Sequence, residues 1–247
     1  MHSLRGSWAE MTDRLAAWIQ DQVAGSNSRG VVLGLSGGID SAVVAVLCKK
    51  AFPDNVLAAL MPCYSPGQDL EDAKAVAGKF SIPVVTVPLD GVYDSLLNVI
   101  PETVGSPETR RLAESNLKPR LRMCALYFLA NRMHYLVAGT SNRSELSIGY
   151  TTKWGDGAVD IIPLGNLLKR QVRELAAFLE IPRSIIDKPP SAGLWEGQTD
   201  EGEMGFTYAE LDSYLQTGEG RPDVIARIQM RVRASEHKRR PIPVPPF

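Results

Sequence analysis

A short hydrophobic run feeding a glycine-rich turn that opens a helix restricts the fold more than any other feature. Gly30-Val31-Val32-Leu33-Gly34-Leu35-Ser36 reads as a buried parallel strand, and Ile39 to Ala51 as the helix after it. The junction is Gly34-Leu35-Ser36-Gly37-Gly38-Ile39-Asp40-Ser41. Glycines let the backbone approach a ligand, and a helix N-terminus aims free N–H groups at an anion. Ser36 and Ser41 add hydroxyl donors, so these residues favour phosphate. A Walker A loop needs Gly-Lys-Ser/Thr, and that lysine is absent; so is a dinucleotide GxGxxG.

Two rival readings stand beside this one. Gly34 to Gly38 also fits G-x-S-x-G, the nucleophile elbow of α/β-hydrolases. That site needs an acid and then a histidine, and downstream there are only His134 and His237, the latter in a basic tail. The plainer rival is a glycine turn with no ligand.

Further strands and helices alternate along the chain. Leu4, Trp8, Met11, Leu15, Trp18, Ile19 and Val23 keep helical spacing over 4–24. Strands are predicted at Val56 to Met61, Pro83 to Pro88 and Tyr135 to Ala138. Helices are predicted at Leu70 to Phe80, after Asp90, and at Glu108 to Arg132. This order implies right-handed βαβ crossovers and an open parallel sheet. Toward the C-terminus, Leu167 to Leu179 and Val224 to Ala234 read as amphipathic helices. Between them, about 188–206 is rich in Gly, Pro and charge and reads as a lid or a disordered segment.

Composition excludes several classes. Lys+Arg 27 against Asp+Glu 28 gives a net charge of -1, so no global field favours nucleic acid. The apolar run Ala42 to Cys48 is far too short to span a bilayer. Residues 1–11 lack the pattern of a signal peptide. Cys48, Cys63 and Cys124 form no CxxC pair and suit reduced thiols in the cytoplasm; Cys48 and Cys124 are expected to be buried. At 247 residues the chain is expected to be one domain, with a core at 28–180, the lid, and C-terminal helices and tail over 207–247.

Ser36-Gly37-Gly38-Ile39-Asp40-Ser41 resembles the pyrophosphate loop of the ATP pyrophosphatase (PP-loop) superfamily. The remainder is similar to the ammonia-dependent NAD synthetases through Gly139 to Glu145, Gly149 to Gly157, Asp160, Pro163-Leu164 and Glu236 to Pro241. The resemblance implies a Rossmann-like, adenine nucleotide alpha-hydrolase-like α/β fold, with an N-terminal helix and a helical C-terminal portion. It implies ATP- and Mg²⁺-dependent amidation of deamido-NAD by ammonia through an acyl-adenylate, giving NAD, AMP and pyrophosphate. It also implies a homodimer, and leaves open a separate glutaminase as ammonia supplier. No nucleic acid or membrane partner is implied.

The same resemblance implies site residues. Asp40 and Glu145 are assigned to Mg²⁺; alone, each is an ordinary acid at a helix N-terminus. Gly34 to Ser41, Met61, Thr140, Lys169 and Ser191 are assigned to ATP, with Leu60 and Met61 flanking adenine. Asp40, Lys169 and Ser191 carry the chemistry. Thr140 by itself is a plain N-cap, and Lys169 a solvated helix lysine. The family more often has threonine at Ser191. Arg120, Lys153, Asp160, His237 and Lys238 are assigned to deamido-NAD. Pro119 stands where alanine is frequent and is expected to shift a helix start. Trp154 reads as a base-stacking or a packing residue.

Overall fold

A computed structural model describes residues 6–101, 103–195 and 197–247; Leu4 of the expected first helix and Glu196 of the expected lid lie outside the described residues. Four strands, β1 (Gly30–Gly34), β2 (Val56–Leu60), β3 (Val84–Thr86) and β4 (Tyr135–Val137), form a parallel sheet of order β3-β2-β1-β4. Val31 pairs with Val56 on one side of β1, and with Leu136 on the other. Ala138 extends the sheet by an isolated parallel bridge to Ile161.

The central strands β1 and β2 are buried on both faces, as their unbroken apolar runs require, whereas β3 is a partly exposed edge. Val31 and Leu33 join Ala58 and Leu60 in one core cluster, whereas the intervening Val32 and Ala59 join a second with Val137. On the first face lie α1 (Trp8–Gly25), α2 (Ile39–Ala51), α3 (Gly67–Lys79), α7 (Lys169–Phe178) and α8 (Arg183–Ile186). On the second lie α4 (Asp90–Val99) and α5 (Pro107–Met133). Full burial of a Val or Leu side chain contributes about 1.5–3 kcal/mol. A third cluster joins α6 (Arg143–Ile148), α9 (Asp200–Met204), α10 (Tyr208–Thr217) and α11 (Pro222–Ala234); α12 (Glu236–Arg239) follows α11.

Local chemistry explains the boundaries. Ser7 and Glu10 form a capping box that starts α1. His134 in the left-handed region ends α5 before β4.

The structure corrects three expectations. Pro119 does not start a helix; it lies buried inside the 27-residue α5. The stretch 188–206 is not loop throughout, because Thr199 caps α9 and Met204 and Phe206 are buried in the third cluster. Cys124 is exposed, because α5 has solvent on one side, while Cys48 and Cys63 are buried. Trp18 is 37% exposed although it shares a helix with the buried Ile19. No helix among the described residues is long and apolar enough to cross a membrane.

Candidate active site

In an open sheet, the strand order turns at a switch point where ligands collect beyond the C-terminal strand ends. Here that point lies between β1 and β4. β1 runs directly into the glycine loop and α2. Gly37 has φ +79°, and a Cβ there would sit 2.2 Å from the Asp69 carbonyl oxygen. No other residue fits without moving α3 or the loop. The loop is fastened by its own hydroxyls: Ser41 Oγ donates to the Gly38 carbonyl at 2.9 Å and accepts from the Ser36 N–H at 3.2 Å. Gly38 N–H donates to Ser36 Oγ at 3.3 Å. No side chain caps α2 at Gly38, leaving the first turn to face an anion. Met61 follows β2 and lies beside Gly34, where a Cβ would meet the Met61 methyl at 3.1 Å.

Charged side chains converge next to this loop. Lys169, the first residue of α7, donates its ammonium to Asp40 Oδ2 and, at 3.2 Å, to Glu145 Oε1. Its side chain is 3% exposed, so the expectation of a solvated lysine from helix position alone does not hold. Asn142 donates its Nδ2 to Asp40 Oδ1 at 2.9 Å and caps α6, with Glu145 answering as the capping-box acid. The Tyr208 hydroxyl donates to Asp200 Oδ2 at 2.8 Å and lies 3.3 Å from Glu145 Oε1. Asp40 and Glu145 thus contact the ammonium, and Asp200 is held by the Tyr208 hydroxyl. Burial, then the Asp40 and Asp200 charges, push the Glu145 carboxyl up against the pull of Lys169. Burial alone would lower the Lys169 ammonium; Asp40 and Glu145 more than offset it and hold it above the ordinary lysine value.

Asp40 and Glu145 are hard oxygen donors aimed at one point, which fits a magnesium ion sharing the site with phosphate. Among the described residues no three His, Cys, Asp or Glu side chains cluster for a metal. Two protein carboxylates are therefore the available donor set. Thr140 sits in the connection between β4 and α6.

Across the loop, two lysines tie down residues 188–194. Lys188 Nζ donates to Asp69 Oδ1 at 2.6 Å and Asp72 Oδ2 at 2.7 Å. Lys118 is buried near the Tyr64 and Tyr93 rings and donates to the Leu194 carbonyl at 2.9 Å. Ser191 is exposed, and its Oγ accepts the Gly193 N–H at 3.1 Å.

Of the five residues assigned to a second substrate, Arg120, Lys153, His237 and Lys238 come together, whereas Asp160 stands apart beside β4. Arg120 donates to the Lys153 carbonyl at 3.3 Å, and the Lys153 ammonium lies 5.4 Å from the Trp154 ring centre. Lys153 and His237 line a pocket of about 440 Å³ with Arg233, Glu236 and Arg240. Lys238 departs from a free phosphate-reading lysine: its ammonium holds the Gly149 and Thr151 carbonyls at 2.9 and 2.6 Å. Asp160 is also engaged, accepting from Tyr127 Oη at 3.0 Å and Val137 N–H at 2.8 Å. Asn142, Tyr208 and Asp200 were not singled out by sequence. Asn142 with Glu145 carries a capping-box signal; Tyr208 carries none.

Parallel strands, a glycine loop at the switch point and a buried lysine between carboxylates define a nucleotide-binding α/β enzyme. The family model described as NAD synthase matches residues 11–242, and the chain belongs to that family. It is 50% identical over 242 residues to the NH(3)-dependent NAD(+) synthetase of Carboxydothermus hydrogenoformans, covering 98% of this chain and 99% of that one. Among solved structures it resembles the NMN synthetase of Francisella tularensis, with a TM-score of 0.92, 39% identity, and 98% and 100% of the two chains covered. It also resembles the NH3-dependent NAD synthetase of Campylobacter jejuni in complex with the nitrate ion, with a TM-score of 0.81, 31% identity, and 97% and 99% covered.

Proposed function

We propose that this chain amidates deamido-NAD with ammonia at the expense of ATP, through an acyl-adenylate. The observation that carries the reading is the buried Lys169 ammonium held between Asp40 and Glu145 at the mouth of the glycine loop. The substrate carboxylate attacks the α-phosphorus of ATP and pyrophosphate leaves. Ammonia then attacks the acyl carbon and AMP leaves, giving the carboxamide. Both steps gather negative charge, which fixed cations and N–H donors stabilise.

In this reading Gly34 to Ser41 cradle the departing pyrophosphate, while Met61 and Thr140 position the nucleoside. Lys169 and Ser191 serve the phosphates. Asp40 and Glu145 hold Mg²⁺, which when bound supplies Lewis-acid neutralisation of phosphate charge. Arg120, Lys153, Asp160, His237 and Lys238 orient the dinucleotide, Lys238 by shaping the 149–151 backbone. The lid, drawn down by Lys188 and Lys118, excludes water from an acyl-adenylate that water would destroy. A homodimer is the assembly this reading expects, and Val99, Val104, Leu112 and Phe128 are exposed apolar side chains on and beside α4 and α5. Ammonia is the direct nitrogen donor, whether free or released by a separate glutaminase.

A second reading keeps the chemistry and shortens the acid: the mononucleotide of nicotinic acid. The resemblance to the Francisella NMN synthetase favours it. The test is turnover of each acid with ATP, Mg²⁺ and either ammonium or glutamine. The proposal expects NAD, AMP and pyrophosphate from deamido-NAD and ammonium; ADP and phosphate would overturn it. A higher kcat/KM for the mononucleotide acid would transfer the assignment to the second reading.

A further inference from the structure

The first turn of α7 is satisfied in an unusual way. A helix begins with N–H groups that have no intrahelical partner, and a side chain just before the helix normally meets one of them. Here the residue in that place is Leu168, buried in the core. The partners come from two other helices. Lys169 N–H donates to Ser144 Oγ at 3.0 Å, and Arg170 N–H donates to Asp212 Oδ2 at 2.8 Å. The Ser144 hydroxyl closes the ring by donating to Asp212 Oδ1. Ser144 is fully buried and Asp212 is 5% exposed.

This ring holds the Lys169 backbone directly and anchors the residue that precedes Glu145. Ser144 immediately precedes Glu145 on α6, and Lys169 itself provides one of the N–H groups. Asp212 also carries negative charge to the positive end of α7, where it is favourable. A buried carboxylate is costly unless hydrogen-bonded, and every bond of this one is spent on fixing α6 and α7 together. One turn earlier on α10, Tyr208 reaches Glu145 from the same side.

We infer that Asp212 is a positioning residue for Lys169, acting through Ser144 and the first turn of α7 to hold the ammonium where the phosphates react. This rests on the reading that Lys169 serves ATP. Displacing a positioned group by about 1 Å costs on the order of 100-fold in rate.

The test compares Asp212→Asn with Leu211→Ala; Leu211 is the fully buried neighbour of Asp212, packs in the third cluster and makes no hydrogen bond to the ring. Asn keeps the shape and an oxygen for the Arg170 N–H, but it removes the charge and turns its N–H toward Ser144 Oγ, so the serine hydroxyl hydrogen loses its acceptor. Measured well below both melting temperatures, D212N should lower kcat about 10- to 100-fold with the KM for ATP changed less than about twofold. L211A should lose stability but keep its kcat. Ser144→Ala, which frees the Lys169 N–H, should follow D212N, and carries the test if D212N does not fold. Equal kcat losses in D212N and L211A, or near wild-type kcat in D212N or S144A, overturns the inference. Lys169→Met separates the two layers: an active K169M overturns the reading of Lys169, whereas a dead K169M beside a fully active D212N overturns only the positioning role.

Discussion

Lys169 and Asp40, 129 residues apart in sequence, form a buried ion pair in which the lysine side chain is 3% and the carboxylate side chain 17% exposed. Glu145 completes it at 3.2 Å. Removing one partner of a buried pair leaves the other uncompensated and costs about 3–5 kcal/mol. Lys169→Met should therefore lower the melting temperature sharply and cut NAD formation by at least about 100-fold. Lys169→Arg should not restore turnover, because a planar guanidinium does not replace a compact ammonium between two carboxylates. Calorimetry and initial rates check both, and wild-type values in either variant contradict the account.

Gly37 is required twice over, by its φ of +79° and by the 2.2 Å that a Cβ would leave to the Asp69 carbonyl. The left-handed conformation alone costs an L-residue about 1–2 kcal/mol. Gly37→Ala should raise the KM for ATP at least about tenfold, since the loop must shift away from the phosphates. Gly78→Ala, in open space on α3, should leave it unchanged. Equal ATP affinity in the two variants would show that the loop does not cradle phosphate.

The Lys188 contact predicts an acid limb in stability. Burial would raise the Asp72 carboxyl, but hydrogen bonds from Lys188 and Gln68 outweigh it and hold it below the ordinary 3.8. A depressed carboxylate contributes stability that is complete above its unfolded value and is lost as pH falls through its folded value. The melting-temperature gap between wild type and Asp72→Asn should thus be constant from neutrality to about pH 5, then close below about pH 4. A gap that persists unchanged at pH 2 would contradict the ion pair.

Lys238 holds the backbone that carries Lys153, so its loss should act on substrate rather than on chemistry. Lys238→Met should raise the KM for deamido-NAD about tenfold while kcat stays within about twofold. A fall in kcat with KM unchanged would place Lys238 in the chemical step.

The sheet was legible because its strands are unbroken apolar runs, and α2 begins and ends at the residues expected. The glycine loop was legible because both its signals, strand before and helix after, are local. α6 was not, since six residues give no helical period. α10 places the buried, charged Asp212 on its apolar side, which breaks the pattern that marks a helix. Lys169 reads as a surface lysine along its own helix; its burial depends on Asp40 and Glu145, brought in from two other helices. Lys238 was legible as basic but not as a backbone clamp, because carbonyl partners leave no mark in a sequence.

The central claim is that a substrate carboxylate displaces pyrophosphate before ammonia arrives. It is tested most directly with deamido-NAD labelled with ¹⁸O in its carboxylate, ATP, Mg²⁺ and ammonium, reading the mass of the AMP produced. An acyl-adenylate carries one carboxylate oxygen away on AMP, so the account predicts AMP heavier by one ¹⁸O. Unlabelled AMP formed alongside NAD would contradict it.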